Sequence, residues 1–156
     1  MLNDPWIAVS YELIRGPQPT LEDLLYLKDK ARLKSVVNLR SESEESRDLA
    51  FQAGLTYNYI PVYDGGIPKA RHVDYFLKLY GDLKNLPMLV HCLGGVGRTG
   101  TFVSIYRIVN GMASGDAISL SHKEVTYMKL TAEQQVFIKD WAANNAYWQP
   151  GVTVVV

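Results

Sequence analysis

A short apolar run leads through a glycine-rich turn into a helical pattern at residues 88–109, and this transition limits the folds open to the chain. The run MLVH is nearly continuous in apolar residues, as the central strands of parallel sheets are. The next stretch, CLGGVG, carries three glycines that disfavour regular structure, and from Arg98 onward apolar residues recur with helical spacing. The segment therefore predicts a buried strand, a tight loop and a helix in direct succession.

The same alternation of strand and helix patterns covers most of the chain. Strands are also predicted at residues 6–9, 13–14, 35–39 and 55–60, and helices at 21–31, 43–53, 69–83, 116–128 and 131–147. Prolines and glycines predict loops at 15–19 and 61–68. This order implies an α/β fold: a single domain with a central, mostly parallel sheet and helices on both faces.

In parallel sheets of this kind, ligands bind beyond the carboxyl ends of the strands. Cys92 directly follows the strand predicted at 88–91 and therefore lies at that edge. It is also the only cysteine of the sequence, so it has no partner for an internal disulfide. This usage of cysteine favours a reducing compartment.

Length and charge narrow the class of protein. The 156 residues suit one domain, which we place at residues 1–148, with an apolar tail at 149–156. The 16 basic and 16 acidic residues balance, which argues against nucleic acid and stable membrane partners but leaves room for a local charged patch. No apolar run reaches the roughly 18 residues of a membrane span, and the N-terminus lacks a secretory pattern. We therefore expect a cytoplasmic protein.

The glycine-rich loop has the chemistry of a phosphate site. Backbone N–H groups at a helix start attract an oxyanion, and Gly94, Gly95 and Gly97 let the backbone approach it closely. Arg98, at the end of the loop, has a planar guanidinium that holds two oxygens of a tetrahedral anion. The same positive field stabilises a thiolate at Cys92. The loop therefore predicts phosphate binding above an activated nucleophile.

Two other interpretations of the loop fit less well. In the nucleotide-binding loop Gly-x-x-x-x-Gly-Lys-Ser/Thr, Cys92 would replace the first glycine and Arg98 the lysine. A buried structural cysteine beside a glycine-rich turn is the usual state of a lone cysteine. A structural cysteine does not require the combination His-Cys-x5-Arg-Thr between a strand and a helix, so this combination favours a functional site.

HCLGGVGRTG resembles the motif His-Cys-x5-Arg-Ser/Thr of the cysteine-dependent protein-tyrosine and dual-specificity phosphatases. The segments RGPQPT, VVNLR, YIPVYDGGIP and TAEQQVFI are similar to further elements of this family and follow in the family's order, over about residues 9–141. The chain most resembles compact members, such as cyclin-dependent-kinase-associated phosphatase and small prokaryotic tyrosine phosphatases. It is too short to hold the tyrosine-recognition extension of the larger enzymes.

The resemblance implies hydrolysis in two steps through a cysteinyl-phosphate. Cys92 is the implied nucleophile, Thr99 hydrogen-bonds its sulfur, and His91 orders the loop without acting as an acid. Arg98 and the backbone amides of the loop hold the phosphate oxygens. The implied phosphate-binding residues are Leu93, Gly94, Gly95, Val96, Gly97 and Arg98. The mechanism needs no metal and no cofactor.

Two further roles follow from the resemblance, and the residues alone leave an alternative for each. Asp64 matches the general acid of the family, but an aspartate here could equally cap the glycine turn that follows it. Asp74, the next acid, falls within a predicted helix. Gln134 matches the glutamine that positions water for the second step, with Gln135 adjacent. Both glutamines could instead be solvated behind an N-cap at Thr131.

Charged residues near these segments are given weaker assignments. The acidic stretch at 42–48 is predicted to be a solvated helix start, where carboxylates are favourable. Lys69 and Arg71 follow the acid-bearing loop. They could meet an acidic flank of a substrate or be solvated charges at the start of a helix.

The expected function is a phosphomonoester hydrolase: a protein-tyrosine or dual-specificity phosphatase whose partner is a phosphorylated protein or peptide. Alternatives are a phosphatase of a phosphoinositide or another small phosphate ester, a non-catalytic phosphate-binding module, and sulfur transfer or arsenate reduction. Lipid-acting relatives tend to carry lysines inside the loop, and this loop has none. Cys92, Arg98 and Asp64 together favour an enzyme, and the lack of a second cysteine disfavours a reductase. The oligomeric state is left open.

Overall fold

The computed structural model of the chain describes residues 1–145. Its strands are β1 (Ile7–Ala8), β2 (Leu13–Gly16), β3 (Ser35–Arg40), β4 (Thr56–Val62) and β5 (Met88–His91). They form one sheet in the order β1-β2-β5-β3-β4. β1 runs antiparallel to β2, and the other neighbouring strands are parallel. The predicted α/β fold with a mostly parallel sheet is confirmed.

Helices cover both faces of this sheet, as predicted. Within residues 1–145 they are α1 (Leu21–Ala31), α2 (Glu45–Gln52), α3 (Ala70–Tyr80), α4 (Gly97–Val109), α5 (Ser114–Glu124) and α6 (Ala132–Asn144). α1 and α2 contribute to the core on one face, and α3 and α4 contribute to the core on the other. α5 and α6 contact the outer side of α4 and share a small apolar cluster with it.

Strand β5 lies at the centre of the sheet, and its alternating side chains enter both cores. Leu89 belongs to the same core as Leu24 of α1, whereas Met88 and Val90 belong to the core that contains Phe102 of α4. All three strand side chains are fully buried. Burial of such side chains contributes about 1.5–3 kcal/mol each. The end of β5, where the candidate nucleophile follows, is therefore firmly held.

One predicted loop, at residues 15–19, is wrong at its start. Arg15 and Gly16 continue β2, because they pair with Val90 and His91 of β5. The prolines that predicted the loop begin only at Pro17. β2 therefore reaches the same sheet edge as β5 and carries Arg15 to it.

The predicted loop at 61–68 is also partly strand. Pro61 and Val62 belong to β4, and Val62 pairs with Arg40 after a register shift in β3. β4 is the edge strand of the sheet, where a proline does not interrupt a ladder between two neighbours. The acid-bearing loop therefore starts at Tyr63.

Helix ends differ from the prediction by a few residues. The helix predicted at 69–83 ends at Tyr80, and a separate 3-10 turn covers Leu83–Asn85. The helix predicted at 116–128 begins two residues earlier, at Ser114, and ends four residues earlier, at Glu124. α1 begins where predicted, and α6 begins one residue later than predicted, each behind a threonine N-cap that forms a capping box.

The end of the chain is outside this description. The predicted boundary between residues 148 and 149, the tail at 149–156 and the predicted helix end at 147 all lie outside the described residues. Among residues 1–145, no helix has the length and apolar character needed to cross a bilayer.

Candidate active site

The loop between β5 and α4 folds around a buried cysteine. Cys92 follows the last residue of β5 and is only 3% exposed, and α4 begins at Gly97. Gly95 has a φ of +77°, and a Cβ on it would lie 2.7 Å from the carbonyl carbon of Gly16. Only glycine fits at this position, since both the conformation and the contact with the end of β2 exclude a side chain.

The sulfur of Cys92 accepts one hydrogen bond from the loop and one from the first turn of α4. The backbone N–H of Gly95 donates to Sγ at 3.2 Å, and the hydroxyl of Thr99 donates to it at 3.0 Å. Two hydrogen-bond donors thus face one sulfur beside the start of a helix, where the backbone N–H groups provide positive potential. The arrangement therefore suits a nucleophile and a leaving group.

His91 anchors the loop from the side opposite the substrate space. Its Nδ1 lies 3.0 Å from the carbonyl oxygen of Cys92, and its Nε2 lies 2.9 Å from the hydroxyl of Ser46 in α2. Burial lowers the pKa of His91 to about 4, so the ring is neutral at physiological pH. The carbonyl can only accept, which places the ring proton on Nδ1 and makes Nε2 the acceptor for Ser46.

Arg98 is buried and oriented by Glu42, which follows β3. Nη1 and Nη2 donate to the two carboxylate oxygens of Glu42 at 2.6 and 3.0 Å, and Nη1 also donates to the carbonyl of Val62 at 3.0 Å. The hydrogen bonds from Arg98 lower the pKa of Glu42 to about 2. This bidentate pair fixes the plane of the guanidinium before any ligand binds.

A second arginine holds Glu42 in turn. Nε of Arg40 donates to Glu42 at 3.1 Å, and Nη1 donates to Gln18 at 2.7 Å and to Glu45. The predicted solvated helix start at 42–48 is therefore wrong in part, because Glu42 pairs with the arginine of the loop. The side chain of Glu42 is nonetheless 39% exposed, so the solvated part of the prediction holds for its outer side.

Asp64 lies at the mouth of the site. Its Oδ1 is 3.7 Å from Nη2 of Arg98, and its side chain is 85% exposed. The Gly66 N–H donates to the Tyr63 carbonyl at 2.8 Å, and Gly65 at the third turn position has a φ of +73°, which defines a type II turn. Within residues 1–145, the hydrogen bonds of this turn do not use the Asp64 carboxylate, so the acid is free to face a substrate.

Gln134 lies directly behind the segment at residues 92–98, which we call the phosphate loop after its predicted role. It is fully buried, and its Nε2 donates to the carbonyl of Gly66 at 3.1 Å. It also contacts Gly97, because a Cβ on that glycine would lie 2.9 Å from the amide. The neighbouring Gln135 donates instead to the carbonyl of Leu130 at 3.0 Å. The structure thus brings Gln134, but not Gln135, to the loop and the acid-bearing turn.

The remaining loop residues differ in exposure. Leu93 is 52% exposed, whereas Val96 is 6% exposed and turns toward the protein. The backbone from Leu93 to Val96 leads from Cys92 directly into the start of α4, the succession expected for a phosphate cradle.

Sequence reasoning missed several residues that surround the loop. Arg15 donates to the carbonyl of Gly95 at 3.0 Å, and the hydroxyl of Tyr127 donates to the carbonyl of Gly94. Arg15 and Glu42 were detectable, because both stand at the carboxyl ends of parallel strands, the edge at which Cys92 lies. Tyr127 offered no such signal, since it follows a helix whose end was placed too late.

Comparison with known proteins gives one family for most of the chain. The family whose model matches residues 7–140 is described as "DSP-PTPase phosphatase fused to NAD+ Kinase". A relative from Dictyostelium discoideum, named "Probable protein tyrosine phosphatase type IVA B", is 23% identical over 141 residues, which cover 86% of each chain.

Solved structures share the fold. The core catalytic domain of the PP-IP phosphatase Siw14 from S. cerevisiae, in complex with citrate, superposes with a TM-score of 0.71 and 22% identity, over 90% of this chain and 92% of that chain. PTPMT1 in complex with PI(5)P superposes with a TM-score of 0.79 and 17% identity, over 92% and 97%. At these identities the likeness establishes the common fold.

Proposed function

The chain belongs to the family described as "DSP-PTPase phosphatase fused to NAD+ Kinase" and is a cysteine-dependent phosphatase, and we propose that it dephosphorylates proteins. The preferred group in this proposal is phosphotyrosine. The observation that carries the proposal is the sulfur of Cys92, which accepts hydrogen bonds from Gly95 and Thr99 beneath a cradle closed by Arg98. A dual-specificity activity on phosphothreonine and phosphoserine belongs to the same proposal.

In the first step, the Cys92 thiolate attacks phosphorus and the bond between phosphorus and the ester oxygen breaks. Asp64 gives its proton to the departing oxygen, which leaves as an alcohol or a phenol. Arg98 and the amides of the loop hold the equatorial oxygens while charge moves from the sulfur to the leaving group. The product of this step is a cysteinyl-phosphate.

In the second step, water attacks the phosphorus of the cysteinyl-phosphate. Gln134 orients this water, and Asp64 accepts its proton. The bond between sulfur and phosphorus breaks, inorganic phosphate leaves, and the thiolate returns to the hydrogen bond of Thr99. His91 stays outside the proton transfers, because its neutral ring is buried against Ser46 and the backbone.

The charges around the loop support a substrate with one phosphate. Arg15 pairs with Glu124 at 3.1 Å, and Arg40 pairs with Glu42 and Glu45, so both guanidinium groups already have carboxylate partners. An inositol that carries several phosphates needs several free cations around the reacting group. These pairs, together with a loop interior that lacks lysine, support a phosphorylated amino-acid side chain over a highly charged head group.

An apolar groove beside the acid-bearing turn supports a peptide substrate. It has a volume of about 500 Å³, and its lining includes Ile67, Val136 and Phe137. Glu133 and Asp140 line the same groove, and their charge disfavours an anionic lipid surface. The groove suits an apolar side chain near the phosphorylated residue of a substrate that carries basic residues.

A phosphoinositide or another small phosphate ester is the second candidate, favoured by the solved structures of the PP-IP phosphatase Siw14 and of PTPMT1 with PI(5)P. A test compares phosphate release from matched phosphotyrosine and phosphothreonine peptides with release from phosphoinositide vesicles. The proposal expects the largest kcat/KM for phosphotyrosine. Turnover of the lipid alone would retain the chemistry and replace the substrate.

The groove has a test of its own. Val136→Asp should lower kcat/KM for a phosphopeptide with apolar and basic flanks by about tenfold, because it places a charge among apolar contacts, while leaving the turnover of a small aryl phosphate unchanged. Leu83→Asp is the matched control, since Leu83 is exposed on a separate 3-10 turn. Equal losses in both variants, or a loss on the aryl phosphate, would contradict a role in peptide binding.

The remaining expectations follow from the same chemistry. We place the protein in the cytoplasm, where a reducing environment keeps the Cys92 thiol available. We take residues 1–148 as one phosphatase domain.

A further inference from the structure

Three consecutive carbonyl groups of the phosphate loop accept hydrogen bonds from donors outside the loop. The carbonyl of Leu93 accepts from the backbone N–H of Gln18 at 3.0 Å. The carbonyl of Gly94 accepts from the hydroxyl of Tyr127, and that of Gly95 accepts from Nη2 of Arg15 at 3.0 Å. These donors come from β2, from the segment just after β2 and from the segment that follows α5.

Holding the carbonyls outward directs the N–H groups inward. In a trans peptide the carbonyl and the N–H of the next residue point in opposite directions. The Gly94 carbonyl faces Tyr127, and the N–H of Gly95 accordingly points inward, where it donates to the sulfur of Cys92 at 3.2 Å. By the same geometry, the bond from Arg15 to Gly95 turns the N–H of Val96 toward the space above the thiol.

Packing alone does not explain why an arginine is buried at position 15, because burying its charge costs desolvation free energy. Its side chain is fully buried in the wall behind the loop, and Nη1 donates to Ser121 at 2.8 Å and to Glu124 at 3.1 Å. Apolar side chains of similar volume often stabilise a fold as well as a buried ion pair does. Glu124 is, in addition, already held by Arg107 through bonds of 2.7 and 2.6 Å. Charge balance at Glu124 therefore does not account for a second guanidinium.

We propose that Arg15 is a positioning residue of the phosphate loop, which acts through the Gly95 carbonyl to aim the Val96 N–H at the phosphate. The proposal rests on the proposed phosphatase function. The planar fork of the guanidinium spans Glu124 on one side and Gly95 on the other, a geometry that a lysine ammonium cannot reproduce. Tyr127 positions the neighbouring carbonyl, that of Gly94, through one neutral hydrogen bond.

The test separates binding of the anion from turnover. Inorganic phosphate is titrated by calorimetry into the Cys92→Ser protein with and without Arg15→Lys, and kcat/KM is measured for both forms with Cys92 intact. Loss of one charge-assisted hydrogen bond predicts a fall of about tenfold or more in phosphate affinity and a fall in kcat. Tyr127→Phe, at an exposed side chain, predicts a smaller fall of a few-fold in both quantities.

Arg107→Lys is the matched control. It weakens the same ion-pair network at Glu124, but Arg107 makes no hydrogen bond to the loop within the described residues. Equal losses of phosphate affinity in Arg15→Lys and Arg107→Lys, or full affinity in Arg15→Lys and Tyr127→Phe, would overturn the proposal. If the unaltered protein neither binds phosphate nor releases it from a phosphoester, the proposed function fails first and this inference fails with it.

Discussion

Cys92 and Arg98 are buried, yet each meets polar partners that suit a charged state. The sulfur accepts two hydrogen bonds, and the guanidinium donates to both oxygens of Glu42 and to a backbone carbonyl. Such preorganisation removes the need to reorient dipoles as the phosphate reacts, and this is the largest electrostatic contribution available to a site of this kind. The chemistry of the site thus resides in a few side chains whose partners fix their orientation.

The neutral ring of His91 makes the stability of the fold depend on pH. Burial lowers its pKa from 6.5 to about 4, so between these values the unfolded chain binds more protons than the folded protein. Stability is therefore complete above about pH 6.5 and falls as pH decreases. From pH 6.5 to 5 the expected loss is about 2 kcal/mol.

Denaturant unfolding of the unaltered protein and of His91→Gln, at pH 7 and pH 5, measures this effect. The contribution of His91 is the difference between the two proteins in how much the free energy of unfolding falls from pH 7 to pH 5, because all other titratable groups are common to both. Glu42 adds its own loss only as pH falls below about 4.5 toward its pKa of about 2. Parallel stability curves for the two proteins over this range would contradict a neutral buried ring.

The proposed role of Asp64 as the general acid can be tested by substitution. Asp64→Asn should lower kcat by about a hundredfold or more on phosphotyrosine, because the leaving oxygen then departs without a proton. The loss should be smaller on aryl phosphates with acidic leaving groups, which need less protonation. The decline of activity toward high pH should also weaken.

Asp74→Asn is the matched control for the acid. Asp74 is the next aspartate along the chain and is exposed on α3. Its replacement should leave kcat and the pH profile unchanged. An Asp64→Asn protein with the same leaving-group dependence as the unaltered protein would assign the proton to another group.

At the scale of elements, the site is the meeting point of three strand ends and one helix start. β2 brings Arg15, β3 leads to Glu42, and β5 leads to Cys92, all at the carboxyl edge of the parallel sheet. α4 starts inside the loop and directs its first N–H groups at the ligand space. The sheet therefore sets the geometry before any side chain is considered.

Helix α6 closes the site from behind through its first turn. Thr131 and Gln134 form a capping box, and the same Gln134 amide reaches the carbonyl of Gly66. One residue thus joins the end of a helix, the acid-bearing turn and the phosphate loop. This explains why Gln134 is fully buried while its neighbour Gln135 is not.

The position of Gln134 predicts a change in the rate-limiting step. In Gln134→Ala the water of the second step loses its guide, and hydrolysis of the cysteinyl-phosphate should slow by about tenfold to a hundredfold. Rapid mixing with an aryl phosphate should then show a burst of phenol equal to the enzyme concentration, followed by a slow steady rate. Gln135→Ala should show the rate of the unaltered protein, and a burst in that variant instead would move the role by one residue.

Sequence patterns predicted elements well where they depend on local signals. The run at 88–91, the N-cap at Thr131 and the glycine-rich loop each have such a signal, and each element is present. The strand ends at Arg15 and Val62 were missed because pairing with a distant strand, rather than local preference, extends them. The helix at Ser114–Glu124 was displaced because its N-cap, Ala113, has no capping side chain.

At the scale of the whole molecule, the order of the strands explains what sequence reasoning could not supply. The order β1-β2-β5-β3-β4 places β5 between β2 and β3, far from both in sequence. The residues recognised in advance, such as Cys92, Arg98 and Asp64, belong to motifs along the chain. Their partners Glu42 and Arg15 belong to no such motif, and only their places at the ends of neighbouring parallel strands connect them to Cys92.

The two faces of the sheet contribute different residues to the site. The core on the side of α1 and α2 supports the sheet and supplies Ser46 to His91. On the other side, α4, α5 and α6 surround the loop and provide Gln134 and Glu124. Under the proposed function, substrate selection depends on the side where the groove and the acid-bearing turn lie.

The proposed mechanism depends on a cysteinyl-phosphate at Cys92, and trapping this intermediate tests the mechanism directly. The protein is mixed with a peptide that carries radiolabelled phosphotyrosine, quenched during turnover and digested, and the labelled fragment is identified by mass spectrometry. We expect label on the fragment that contains Cys92 and no phosphate release by Cys92→Ser. Phosphate release without label at Cys92, or undiminished release by Cys92→Ser, would contradict it.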